Sequence, residues 1–138
     1  MAVALVDSVV VAGFLDRDDA FHASADERIR AAAGSDRLIA SVVTYAELLT
    51  GAAIGHHDVE TVRGFFAELV DEVLPVDQPI AERAAELRAA KARLRMPDAL
   101  ILATAEEHGA DLVIGGDARW LDIPTYGCKV ELLRATNA

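Results

Sequence analysis

Four carboxylates carry the chemistry that this chain's residue types allow: Asp7, Glu47, Asp98 and Asp117. Asp7 closes the apolar run VALV (3–6). Glu47 stands in the apolar setting TYAELL. Asp98 opens the run ALILATA, and Asp117 follows LVIGG (112–116). Each acid sits at the mouth of a segment expected to be buried, and only a tertiary fold can assemble residues so far apart in sequence. Taken singly, each has an ordinary reading as a turn residue, an exposed helix residue, a helix cap or a loop residue. Taken together, they point to a metal site. Like charges oppose one another's ionisation, and a divalent cation relieves that conflict. Mg²⁺ binds carboxylates, waters and phosphates at oxygen distances of about 2.0–2.1 Å. Mn²⁺ accepts the same ligands. Cys128 is the lone cysteine, and no His-x-x-x-His pattern competes for zinc. His56 and His57 read as an exposed helix start. Ser8, beside Asp7, is either a donor to a bound water or phosphate or a helix cap.

The elements that must position these acids follow from hydropathy patterning. Short apolar, β-branched runs at 3–6, 37–41 (RLIAS), 72–76 (EVLPV), 112–116 and 128–133 (CKVELL) predict five strands. Between them, helices are expected from Ser8 to about Leu15, over 20–33 with Gly34 as C-cap, and over 43–54 with Thr44 as N-cap. Further helices are expected over 56–70 with Asp58 near the start, from Pro79 to about 93 after an Asp77 cap, and over 98–108 up to Gly109. Residues 122–124 read as a turn, and Trp120 is expected to pack at a strand edge. Strands alternating with helices define an α/β domain of three layers, α/β/α, with a largely parallel sheet. In such sheets ligands gather outside the carboxyl ends of the strands, where all four acids would open.

The 138 residues fit one domain, 1–138, and 53% of them are hydrophobic, which suits one substantial core. The N-terminal apolar stretch carries Asp7, lacks a basic region and is too short to span a bilayer, so it reads as a strand and helix start rather than a signal peptide. A soluble, cytoplasmic protein is expected. The net charge of −10 argues against nucleic-acid binding by the whole surface. Its distribution is uneven, however. Residues 1–80 hold 14 acidic and 5 basic side chains, whereas Arg83, Arg88, Lys91, Arg93 and Arg95 form a basic ridge leading to Asp98. That ridge is either a solvated helix face laced with ion pairs or an approach for RNA backbone.

The segments VDSVVVAGFLDRDD, SVVTYAELLTGA and PVDQPIAERAAELRAAKARLRMPDALILATAEEHGADLVIGGDARW resemble the PIN-domain ribonucleases, and more closely the VapC-type toxins of bacterial toxin–antitoxin pairs. The resemblance runs from about 3 to 130, with MPDALILATA and ADLVIGGD its most specific part. It implies an Mg²⁺- or Mn²⁺-dependent endoribonuclease whose metal site matches Asp7, Glu47, Asp98 and Asp117, supported by Ser8, with Glu47 acting directly or through water. The implied substrates are structured RNAs, tRNA or ribosomal RNA. The implied partners are a small cognate antitoxin and a second copy of the chain, for which Phe14, Leu15, Phe65 and Phe66 are expected to supply an apolar interface. The chain departs from the family at Gly115 and Gly116, where a threonine or asparagine often precedes the last aspartate. Three alternatives stand beside this reading: a catalytically silent RNA- or protein-binding domain of the same fold, a DNA or flap nuclease, and a Mg²⁺-dependent phosphatase or receiver. The last lacks its motifs here, since VDSVV has no second aspartate.

Overall fold

The computed structural model describes residues 1–136. β1 (Val3–Val6) lies at the centre of a five-stranded sheet with β2 (Arg37–Ser41), β3 (Glu72–Leu74), β4 (Leu112–Gly115) and β5 (Lys129–Leu132). The order is β3-β2-β1-β4-β5, and every pairing is parallel. The central strands are buried on both faces, as their nearly continuous apolar runs require. Ala4, Val6, Leu38, Ala40 and Ile114 face one core. Leu5, Ile39 and Val113 face the other. This is the period of two expected of a strand.

Six helices cover the two faces. α1 (Ser8–Leu15), α2 (His22–Ser35), α3 (Val42–Ala53) and α4 (Val59–Glu68) pack on the first. α5 (Gln78–Ala90) and α6 (Met96–Glu107) pack on the second. The three-layer α/β/α architecture is the one expected. α6 buries Ala99, Ile101, Leu102, Ala103, Thr104 and Ala105 on several sides at once, which is why its sequence shows no polar face. It stops where Gly109 takes φ +65°, a conformation that glycine adopts without strain.

Several boundaries differ from the sequence expectations. Ser41, not Thr44, caps α3, its side chain accepting a hydrogen bond from the Val43 N–H at 3.0 Å. Gly34 lies inside α2, which continues to Ser35 with Asp36 as its C-cap. α4 starts only after Asp58, whose carboxylate accepts from the Thr61 N–H, so His56 and His57 precede the helix. α5 ends at Ala90, because residues 91–94 form a turn in which the Leu94 N–H meets the Lys91 carbonyl. α6 begins at Met96, which puts Asp98 in its first turn rather than at the cap. A 3₁₀ turn over Ala118–Asp122 was not foreseen.

The expected apolar interface is also corrected. Phe65 and Phe66 are buried in the core. Phe14 packs on Phe65 with ring centroids 5.3 Å apart, and Leu15 lies against the same cluster. These side chains fill the space between α1, α4 and the sheet.

Candidate metal and phosphate site

The chain moves outward from β1 to β2 and β3, then returns to the other side of β1 for β4 and β5. The reversal lies between β1 and β4. Connections leaving those two strands part in opposite directions, and a crevice opens outside their carboxyl ends. Asp7 follows β1 and Asp117 follows β4, so the pair flanks that crevice. The Asp7 N–H donates to the Ile114 carbonyl at 3.0 Å, which ties the two strand ends together. Glu47 reaches the site from the second turn of α3, and Asp98 from the first turn of α6.

The acids also act on one another electrostatically. Asp7 is 4% exposed. Burial pushes its carboxyl up to about 7, with repulsion from Asp98 and Glu47 adding to the shift and hydrogen bonds from Ser8 opposing it. The Ser8 hydroxyl donates to Asp7 Oδ1 at 3.4 Å. Glu47 is raised by burial and by Asp98, against Ser8 and Arg95. Asp98 is raised by burial, and Asp117 adds to this, while Arg95 at 3.5 Å pulls it down. Asp117 alone is lowered, by Arg119. Three carboxyls that resist ionisation and bear on one another mark a place where positive charge is wanted.

The donor set can be tested for a metal. All four groups are hard oxygen donors, the kind that Mg²⁺ and Mn²⁺ take. Glu47 Oε1 is buried without a hydrogen-bond partner, as is Thr44 Oγ1 one turn earlier on the same helix. A buried lone pair without a donor is costly, and a cation or water relieves it. Among the described residues, however, no three histidine, cysteine, aspartate or glutamate side chains stand together as a ready-formed cage. The chemistry fits a divalent ion. Asp98 and Asp117 each pair with an arginine, Arg95 and Arg119.

Arg119 is the residue that sequence reasoning missed. Its guanidinium holds Asp117 bidentately, with Nη2–Oδ2 at 2.8 Å and Nε–Oδ1 at 3.0 Å. The signal was present as an aspartate and an arginine two residues apart in a turn. Beside this pair lies a cavity of about 210 Å³, lined by Lys91, Arg93, Leu94, Asp98, Asp117, Arg119 and Trp120 among others. Glu47 and Ser8 border a second groove on the other side.

The basic ridge divides. Lys91 and Arg93 border the cavity, and Arg95 meets Asp98. Arg88 Nε donates to the Leu94 carbonyl and shapes the turn. Arg83 is engaged by Glu106 and Glu86 and donates to the Pro124 carbonyl. The reason is the early end of α5, which puts Lys91, Arg93 and Arg95 on a turn rather than on one helix face.

The glycines before Asp117 have a steric cause. A Cβ at Gly115 would stand 3.2 Å from the Trp120 ring, and one at Gly116 would stand 2.8 Å from Val9. Trp120 is 2% exposed, inside the second core rather than at a strand edge.

Acids at the switch point of a parallel α/β/α fold stand where such sheets bind their ligands. The PIN domain model matches residues 4–125, and the chain belongs to that family. No curated relative matches it in sequence. Among solved structures, a toxin–antitoxin complex from Klebsiella pneumoniae is 27% identical, covering 91% of this chain and 94% of that one with a TM-score of 0.69. VapBC-5 of the VapBC toxin–antitoxin family, from Mycobacterium tuberculosis, is 26% identical over 98% and 100% of the two chains, with a TM-score of 0.63. VapBC2 from Rickettsia felis, bound to a promoter DNA fragment, shares the fold at a TM-score of 0.76 and 14% identity, covering 95% and 98%.

Proposed function

We propose that the chain is a VapC-type toxin: a metal-dependent endoribonuclease that cuts structured RNA, tRNA or ribosomal RNA, and is neutralised by a cognate antitoxin. One observation carries the reading: Asp7 and Asp117 flank the β1–β4 switch point, α3 and α6 bring Glu47 and Asp98 toward it, and burial with repulsion among the acids raises Asp7, Glu47 and Asp98. The likeness to toxin–antitoxin structures supports the toxin role.

In this reading Asp7, Asp98 and Asp117 hold Mg²⁺ or Mn²⁺, with Glu47 direct or through water. A divalent ion there offsets phosphate charge and makes water more acidic. Glu47, whose Oε1 has no hydrogen-bond donor among the described residues, would accept the proton of an attacking water. Ser8 orients Asp7. Lys91, Arg93 and Arg95 hold the RNA backbone without reading its bases, and Arg83 and Arg88 act by shaping the surface that presents them. In-line attack by water leaves 5′-phosphate and 3′-hydroxyl ends. The reading includes a single domain over 1–138, a homodimer and a cytoplasmic location. Among the described residues no helix is long and apolar enough to cross a membrane.

The test is sequencing of RNA ends after brief expression of the chain and of Asp98→Asn, alongside cleavage of the same RNA by the purified proteins. Discrete new 5′-phosphate ends that need Mg²⁺ and vanish in the variant are expected. Undiminished cleavage by a folded Asp98→Asn protein overturns the site.

A further inference from the structure

Asp117 belongs to the proposed metal set, yet the structure shows its carboxylate already taken. It accepts from the Arg119 N–H at 2.9 Å, from Nε at 3.0 and 3.1 Å, and from Nη2 at 2.8 Å. Both oxygens are used, in the planar fork that arginine makes with a carboxylate. Among the described residues, the hydrogen bonds of the Arg119 side chain go only to Asp117. The guanidinium is nonetheless exposed, its side chain at 74% of full accessibility. Water therefore stands ready to solvate it on release, and opening such a pair costs little.

A carboxylate cannot offer the same lone pairs to a guanidinium fork and to a divalent ion, and the two cations repel at such range. The Asp117 backbone turn does not depend on the fork, because the Arg119 N–H caps Oδ1 independently of the side chain. The fork can open while the turn persists. An opened Arg119 remains on the wall of the cavity that Lys91 and Arg93 also line. The same wall carries Asp98, Asp117 and Asp122, so the three cations suit an anion once the acids are answered by an ion, and a guanidinium binds phosphate through the same two-pronged geometry.

Building on the metal-site reading, we propose that Arg119 is a resident counter-cation of Asp117 that a divalent ion must displace, and that the displaced guanidinium takes a nucleic-acid phosphate in the adjoining cavity. Arg119 then lowers metal affinity in the free protein and couples metal entry to phosphate binding. The coupling is reciprocal: whatever frees Arg119 from Asp117 strengthens phosphate binding, and phosphate on Arg119 favours the ion.

The experiment has a metal arm and a phosphate arm, neither of which uses catalysis. In the first, Mn²⁺ is titrated calorimetrically into the wild type, Arg119→Gln, Arg119→Lys and Arg17→Gln, the last removing an equal charge from an exposed loop elsewhere. Arg119→Gln is expected to bind Mn²⁺ about tenfold more tightly, within the usual range of coupling between sites. Arg119→Lys should fall between it and the wild type, and Arg17→Gln should match the wild type. Equal or weaker binding by Arg119→Gln, or the same gain in Arg17→Gln, overturns the displacement. In the second arm, 5′-AMP is titrated in EDTA. Asp117→Asn, which frees Arg119 without any metal, should bind it more tightly than the wild type, and Asp117→Asn/Arg119→Gln should lose that gain. A gain that survives in the double variant overturns the phosphate role. If neither the wild type nor any variant takes up Mn²⁺, the metal-site reading falls, and this inference falls with it.

Discussion

Arg83 and Arg119 each grip a carboxylate, and their surroundings give the two pairs different work. Arg83 reaches Glu106 at 2.5 Å, with side chains only 14% and 6% exposed. Its neighbours complete the set: Glu86, the Pro124 carbonyl, the Tyr126 ring with its centroid 4.7 Å away, and the Tyr126 N–H donating to Glu106 Oε1. Glu106 raises Arg83 further above its ordinary range. This cluster ties α5 to α6 and both to the segment before β5, with nearly every lone pair answered. The acid crevice is the reverse. Three of its carboxyls are raised by burial and repulsion, and its one tight pair is open to water. A satisfied charge cluster stabilises, whereas an unsatisfied one is held in place by the rest of the fold and is available for a ligand.

The largest expected effect breaks the comparison on the crevice side. Asp7 holds its proton to about 7 in the folded protein, from an ordinary value of 3.8. A raised carboxyl favours the fold below the ordinary value and loses that contribution as pH rises through the folded one. Without metal, Asp7→Asn should therefore raise stability by up to about 4 kcal/mol at pH 8 and by less than about 1 kcal/mol at pH 4. Denaturant unfolding at both pH values in EDTA measures it. A variant less stable than the wild type at pH 8 would show that Asp7 is comfortable as an anion.

Next in size is the structural cluster. Glu106→Gln leaves the mostly buried Arg83 short of a counter-charge, and should cost about 2–3 kcal/mol, read as a lower urea midpoint with unchanged slope. Smallest is Arg119→Gln, for which the thermal midpoint should not move, because the exposed pair contributes little to the folded state. A marked fall there would make Arg119 a second staple and erase the contrast.

Much of this was legible in the chain. Period-two burial in VALV and RLIAS, and the all-apolar character of ALILATA, follow directly from a sheet covered on both faces and a helix sunk between sheet and neighbours. Asp7, Glu47, Asp98 and Asp117 stood out because acids at the edges of buried segments are costly unless used. Less legible were the caps, since Ser41 and Thr44 are equally good candidates until the backbone of α3 is seen. Phe65 and Phe66 illustrate the same limit: apolar residues signal burial, and only packing says against what.

The order of strands, and so the placing of Asp7 and Asp117 at the ends of adjacent strands, rests on long-range pairing that no local pattern encodes. The same is true of Arg119 closing on Asp117, of Arg83 being drawn to Glu106 and away from the ridge, and of Trp120 filling the space over Gly115. Sequence alone determined which segments must be buried and which acids would be costly there, because hydropathy and charge are properties of each residue. Tertiary structure decided which charges answer one another, because Coulomb energy and desolvation depend on distance and surroundings that exist only once the chain has folded.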